Sequence, residues 1–121
     1  MLTIRGSLEL GDLLTDLHAK PIAVHLPACG DNTTCHVHEG MLRAAAFVHC
    51  NTADALEEAS GRFPEWPLFV TGHSLGGGVA ALVAVLLRQQ GGAPAKLQVW
   101  GVGCCACSHL DRYSVPELWV R

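Results

Sequence analysis

A strand–helix–strand pattern in the second half of the chain constrains the fold more than any other feature. Residues 66–71 form a nearly continuous apolar run of strand length, which is typical of a strand buried on both faces of a parallel sheet. A helical pattern follows over residues 75–90, and a second apolar run covers residues 97–102. Strands joined in this way form right-handed parallel crossovers, so the sequence predicts an α/β domain.

The first half of the chain continues the alternation of strands and helices. Its predicted elements, in chain order, are a strand over 2–5, a helix from Leu8 to Leu17, a strand over 22–26, an exposed loop over 27–34 and a helix over 39–60 that Gly61 and Pro64 end. We expect residues 2–5, 66–71 and 97–102 to be neighbouring parallel strands. The helices should pack on both faces of this sheet.

Composition excludes several classes of protein. With 50% hydrophobic and 16% charged residues, the 121-residue chain is too apolar to be disordered, and its length suits one domain. The net charge of -3 and the absence of a basic cluster argue against a nucleic-acid partner. The first residues lack the apolar stretch of a signal peptide, and the longest apolar run, residues 79–87, is about half the length of a membrane span. We therefore expect no secretion signal and no transmembrane segment.

The cysteines could bind a metal ion or pack in the core as small hydrophobic residues. Two groups of soft ligands are candidates: Cys104, Cys105 and Cys107 with His109, and Cys29, Cys35, His36 and His38. Neither group has the paired Cys-x-x-Cys spacing of zinc sites, and without a secretion signal a disulfide framework is a poor default. We expect no metal and no cofactor, and we expect the six cysteines to be mostly reduced and buried.

Residues 72–76 read Gly-His-Ser-Leu-Gly, which fits the Gly-x-Ser-x-Gly nucleophile elbow between a strand and a helix. Such an elbow holds its serine, here Ser74, in a strained turn, and Gly72 and Gly76 are needed because a Cβ there would collide with neighbouring backbone. The N–H of Leu75 would then point at the oxyanion of an acyl-transfer intermediate. The alternative is that a serine between glycines forms only a tight turn.

Four motifs in order resemble those of the class 3 lipases, a branch of the α/β-hydrolases. They are Arg-Gly-Ser at residues 5–7, Asp-Leu at 16–17, His-Glu-Gly-Met at 38–41 and Gly-His-Ser-Leu-Gly-Gly at 72–77. The resemblance implies a partial α/β-hydrolase domain over residues 1–121 with a parallel sheet core. It also implies hydrolysis of glycerolipid esters, with peripheral membrane contact and a cytoplasmic or membrane-peripheral location.

The resemblance also implies a role for individual residues. Ser74 would be the nucleophile, Ser7 the second oxyanion donor, and His38 a structural residue rather than the catalytic base. In the family, the catalytic aspartate and histidine follow the strand that corresponds to residues 97–102. Only 47 residues follow Ser74 in this chain, which leaves little room for both. We therefore expect the acid and base to lie outside this chain.

Substitutes within the chain are Asp111 and His109, for which a solvated loop is the alternative. His73 adjoins the nucleophile but points away from it, and is expected to shape the pocket rather than act as base. The other candidate histidines, scattered along the sequence, are His25, His36, His38 and His49.

The sequence leaves two functions open. The first is a serine-dependent lipase acting on glycerolipids. The second is a catalytically inactive lipase-like fragment that binds lipid or a protein partner. Because no base is expected near Ser74, we predict that the 121-residue polypeptide alone turns over esters weakly.

Overall fold

The computed structural model describes residues 1–6, 21–25, 34–89, 96–102 and 118–120. The strands in these ranges are β1 (Leu2–Ile4), β2 (Pro21–His25), β3 (Thr34–His38), β4 (Leu68–His73), β5 (Leu97–Val102) and β6 (Leu118–Val120). The helices are α1 (Glu39–Arg62) and α2 (Leu75–Gln89). The helix predicted from Leu8 to Leu17 lies outside the described residues.

Four strands form a parallel sheet in the order β1-β4-β5-β6. Leu2 of β1 lies opposite Val70 of β4, which in turn lies opposite Val99 of β5. The prediction of three neighbouring parallel strands is therefore confirmed. Strand β6, which pairs with β5, was not predicted, because a three-residue apolar run is too short to show a period.

Strand β4 begins and ends two residues later than the sequence predicts. Pro67 has no N–H to give to a ladder, and the first hydrogen bond runs from the Leu68 N–H to the Lys96 carbonyl (2.9 Å). The prediction that Trp66 is buried in a strand is wrong, since the residue is 67% exposed and stacks on Phe63 with ring centroids 4.7 Å apart. At its other end β4 continues through Gly72 because the backbone pairs there with β5.

Helix α2 lies in the centre of the core. Every residue from Gly76 to Val85 is buried, so the helix has no polar face, as expected for a helix enclosed on all sides. It contacts β4 and β5 on one side and α1 on the other. Helix α1 packs mainly on α2 rather than on the sheet, and the mutual contact places both helices on the same side. The prediction of helices on both faces is thus tested for one face only.

Helix α1 ends where proline forces it to end. The sequence predicts that Gly61 and Pro64 end the helix; the helix passes through Gly61 to Arg62, two residues before Pro64. Phe63 then leaves helical geometry with φ of -133° and ψ of 62°, because the residue before Pro64 is disfavoured in the helical region. The N-cap is His38, whose side chain accepts a hydrogen bond from the Met41 N–H.

Strands β2 and β3 form an antiparallel pair that adds a small second sheet. The sequence predicts β2 to within one residue but misses β3. Within β3 exposed Thr34 and His36 alternate with Cys35 and Val37, which are both 0% exposed. This alternation becomes meaningful only when one face packs on the core, because threonine and histidine in a five-residue segment give a weak strand signal.

The cysteines correct another prediction. Cys35 is disulfide-bonded rather than reduced. Cys50 is a free thiol but lies exposed on α1 rather than buried. The other four cysteines lie outside the described residues.

No helix within the described ranges is long and apolar enough to cross a membrane.

Candidate active site

Ser74 occupies a one-residue turn between the end of β4 and the start of α2. Its φ of 54° is in the left-handed region, and no other non-glycine residue in the described part of the chain has a positive φ. A left-handed serine costs on the order of 1–2 kcal/mol, so the surrounding structure must hold it there. The strained turn that the motif predicts is present, and it places half-buried Ser74 at the carboxyl edge of the sheet.

Gly72 allows this turn to be tight. A Cβ at Gly72 would collide with the carbonyl group of Gly76 and would lie 2.8 Å from the nitrogen of Gly77. These atoms belong to the first turn of α2, which therefore lies directly on the last residues of β4. The sequence predicts this collision but does not identify the atoms involved.

Gly76 and Gly6 bring the end of β1 against the elbow. A Cβ at Gly76 would lie 2.5 Å from the Ile4 oxygen and 2.9 Å from the Gly6 nitrogen. A Cβ at Gly6 would collide with the carbonyl oxygen of His73. The backbone that leads to residue 7 thus contacts the residues on both sides of Ser74. Gly6 was not among the predicted site residues, although the Arg-Gly-Ser motif contains it.

Ser7, the predicted second oxyanion donor, lies outside the described residues. The predicted proximity of its side chain to Ser74 therefore stays a prediction. Gly6 is the last described residue of the first range, and it lies at the carboxyl end of β1 next to the elbow. Carboxyl ends of neighbouring parallel strands form the ligand crevice of α/β sheets.

The first turn of α2 provides hydrogen-bond donors beside Ser74. The Ser74 carbonyl accepts from the Gly77 N–H at 2.9 Å and from the Gly78 N–H at 3.4 Å. The N–H of Leu75 has no carbonyl partner within the helix, because the first N–H groups of any helix lack one. Together with the positive end of the helix dipole, such an N–H can stabilise an oxyanion.

Within the described part of the chain, no histidine or carboxylate forms a hydrogen bond or ion pair with Ser74. His73 is exposed next to it. His38 caps α1, with its Nδ1 accepting from the Met41 N–H at 3.3 Å, and this structural use agrees with the family's motif. His49 is 7% exposed within α1. The candidates Asp111 and His109 lie outside the described residues.

The metal alternative receives no support from the described residues, among which no group of three His, Cys, Asp or Glu side chains could hold an ion. The disulfide at Cys35 removes that sulfur from the second candidate ligand group. The first candidate group lies wholly outside the described ranges.

An apolar groove of about 250 Å³ lies at the opposite edge of the sheet. It is lined by residues at the starts of β1 and β4 and near the end of α1, among them Met1, Leu68, Phe63 and Trp66. The six residues of β4 separate it from Ser74 by about 20 Å, at roughly 3.3 Å per residue. The groove is therefore separate from the elbow.

Comparison with known proteins points to one family. The family model described as lipase (class 3) matches residues 1–113. The chain is 37% identical over 90 residues to diacylglycerol lipase-beta of Mus musculus, covering 73% of this chain and 13% of that protein. It is 34% identical over 101 residues to secreted mono- and diacylglycerol lipase 1 of Fusarium solani, covering 84% of this chain and 28% of that protein.

Solved structures give the same result. The lipase from Rhizopus microsporus var. chinensis superposes with a TM-score of 0.65 at 26% identity, covering 83% of this chain and 34% of that one. The Lip2 lipase from Yarrowia lipolytica superposes with a TM-score of 0.62 at 26% identity, covering 81% and 34%. The chain thus spans 13 to 34% of the length of the relatives named.

Proposed function

The chain belongs to the class 3 lipase family, and we propose that it carries the nucleophile of an enzyme that hydrolyses ester bonds of glycerolipids. The observation that carries the proposal is the conformation of Ser74, a left-handed serine between β4 and the buried helix α2. A turn of this kind exposes the hydroxyl above the sheet, where a carbonyl carbon can approach it. The named relatives, a diacylglycerol lipase and a mono- and diacylglycerol lipase, support glycerolipids as the substrate class.

The proposed reaction proceeds through an acyl-enzyme. The Ser74 oxygen attacks the ester carbonyl as a general base removes the serine proton, and the carbonyl oxygen becomes an oxyanion. The Leu75 N–H and Ser7 donate hydrogen bonds to this oxyanion. Collapse of the intermediate expels the alcohol, which takes the proton from the base, and water then releases the fatty acid in the same way.

The acid and base of the triad are not assigned to described residues. His38 is committed to the N-cap of α1, and His49 is buried in the same helix. Asp111 and His109 stay as candidates within the chain. A serine without a base in reach keeps its proton at neutral pH and is a poor nucleophile, so identification of the base is the first question for mutagenesis.

Peripheral contact with a lipid surface is part of the proposal, because glycerolipids reside in membranes and emulsions rather than in free solution. Vesicle sedimentation tests it: the protein should pellet with phosphatidylcholine vesicles containing dioleoylglycerol. Hydrolysis of a soluble ester without any vesicle binding would contradict it. The cytoplasmic or membrane-peripheral location stays a prediction.

The test of the nucleophile uses protein expressed from its complete reading frame. Release of oleate from dioleoylglycerol and turnover of p-nitrophenyl butyrate are measured for wild type, Ser74→Ala and Ser60→Ala. Ser60 is the matched control, since it is the other serine of the described part of the chain and lies near the end of α1.

We expect Ser74→Ala to lower kcat at least about a thousandfold and Ser60→Ala to leave it unchanged. Labelling by a fluorophosphonate should likewise require Ser74. A wild-type protein that is folded and binds lipid vesicles but has no Ser74-dependent turnover would reject the enzyme and favour a lipid-binding module.

A further inference from the structure

The end of β1 and the start of α2 meet through two facing glycines. Gly76 presents its Cα to the backbone of Ile4 and Gly6, and Gly6 presents its Cα to the carbonyl oxygen of His73. Added Cβ atoms would enter occupied backbone positions from both directions. By contrast, Gly61 on α1 has nothing within 4 Å of an added Cβ.

We propose that Gly6 is a positioning residue for ester hydrolysis. Because Gly6 has no side chain, the end of β1 can lie close to the elbow at Ser74. A hydrogen-bond donor that follows Gly6 in the chain and the Leu75 N–H can then bind the same oxyanion. This inference rests on the proposed function of Ser74. Gly6 would affect the transition state through its neighbours, without touching the substrate itself.

The atom that Gly6 approaches determines what an added side chain would move. The His73 carbonyl belongs to the peptide group that joins His73 to Ser74, and His73 is paired with Val102 of β5. Relief of a collision at this oxygen requires one of two movements. Either the peptide group turns and carries Ser74 with it, or the end of β1 withdraws from the elbow.

Both movements displace the end of β1 relative to Ser74 by on the order of 1 Å, the amount by which real Cβ contacts exceed the collision distance. Oxyanion donors act over a narrow range of about 2.7–3.1 Å. A misplacement of about 1 Å can lower the rate roughly a hundredfold. A loss confined to the oxyanion contacts lowers kcat and leaves KM nearly unchanged, because these contacts form only in the transition state.

The core should tolerate the substitution. β1 is a three-residue edge strand of the described sheet, and Leu2 and Ile4 are only partly buried. Helix α2 packs on β4 and β5 as well as on β1. A small displacement of the end of β1 therefore leaves most of the buried core intact.

The experiment compares Gly6→Ala with Gly61→Ala in the protein expressed from its complete reading frame, using p-nitrophenyl butyrate. We expect Gly6→Ala to lower kcat about a hundredfold with KM within about twofold of wild type and with an unchanged circular dichroism spectrum. Gly61→Ala should leave kcat unchanged. The ³¹P chemical shift of a phosphonate bound to Ser74 should differ between Gly6→Ala and wild type, because the phosphoryl oxygen occupies the oxyanion position.

A second variant, Gly76→Ala, approaches the same contact from the other side and should give the same loss of kcat. A folded Gly6→Ala protein with wild-type kcat would overturn the proposal. Loss of fold in both variants would also overturn it, since the contact would then hold the fold rather than the site. Failure of the proposed function is recognised separately, because wild type would then show no turnover that depends on Ser74.

Discussion

Replacement of Gly72 by alanine should destabilise the protein, although alanine favours regular structure in most places. The added Cβ would collide with the carbonyl group of Gly76 and lie 2.8 Å from the nitrogen of Gly77. These are backbone atoms in the first turn of α2, and they cannot rotate away as a side chain could. The end of β4 and the start of α2 must therefore separate.

The size of the effect follows from two opposing terms. Overpacking of a close-packed interior costs about 1–3 kcal/mol, while Gly→Ala reduces the entropy of the unfolded chain and returns about 0.4–1 kcal/mol. The free energy of unfolding should fall by about 1–2 kcal/mol. For a domain of this size the corresponding fall in Tm is about 4–8 °C.

The matched control is Gly61→Ala, the same chemical change in open space. Nothing lies within 4 Å of a Cβ at Gly61, and the position is helical. Alanine is favoured over glycine in a helix by up to about 1 kcal/mol, less near an end, so Tm should rise by about 2–3 °C. The two variants should thus shift stability in opposite directions.

Thermal and urea unfolding followed by circular dichroism at 222 nm measure both variants. An unchanged urea m-value would show that the variants differ in stability and not in the amount of surface that unfolding exposes. A Gly72→Ala protein as stable as wild type or more stable would refute the reasoning, since the elbow would then have room for a side chain.

Three further expectations concern the rest of the core. His38→Ala should lower stability by about 1 kcal/mol through loss of the α1 cap, and His38→Asn should restore most of it; equal stability of the two variants would argue against capping. Leu82→Ala, at 1% exposure, should cost about 2–5 kcal/mol in urea unfolding, whereas Phe47→Ala, at 70% exposure, should stay within about 0.5 kcal/mol. Cys35→Ala should lower stability by about 2–4 kcal/mol and reduce the sensitivity of Tm to dithiothreitol, whereas Cys50→Ala should leave both unchanged.

The sequence alone determined the β4–turn–α2 unit and the position of Ser74 in its turn. These elements are specified locally, because an apolar run, a glycine, a serine and a buried helix follow one another without interruption over residues 68–89. Strand β5 follows from its own apolar run, and the parallel order from the helix between the strands. Family membership also rested on short motifs in a fixed order, which the comparison with the class 3 lipases confirmed.

Tertiary structure decided the features that depend on contacts between distant segments. β3 is a strand because Cys35 and Val37 have a core to face, and the end of β4 was set by pairing with β5 rather than by Gly72. The importance of Gly6 appears only when Gly76 lies opposite it. Local patterns report which side of an element is buried, but they do not report which backbone atoms approach across the chain, and these close approaches are what position Ser74.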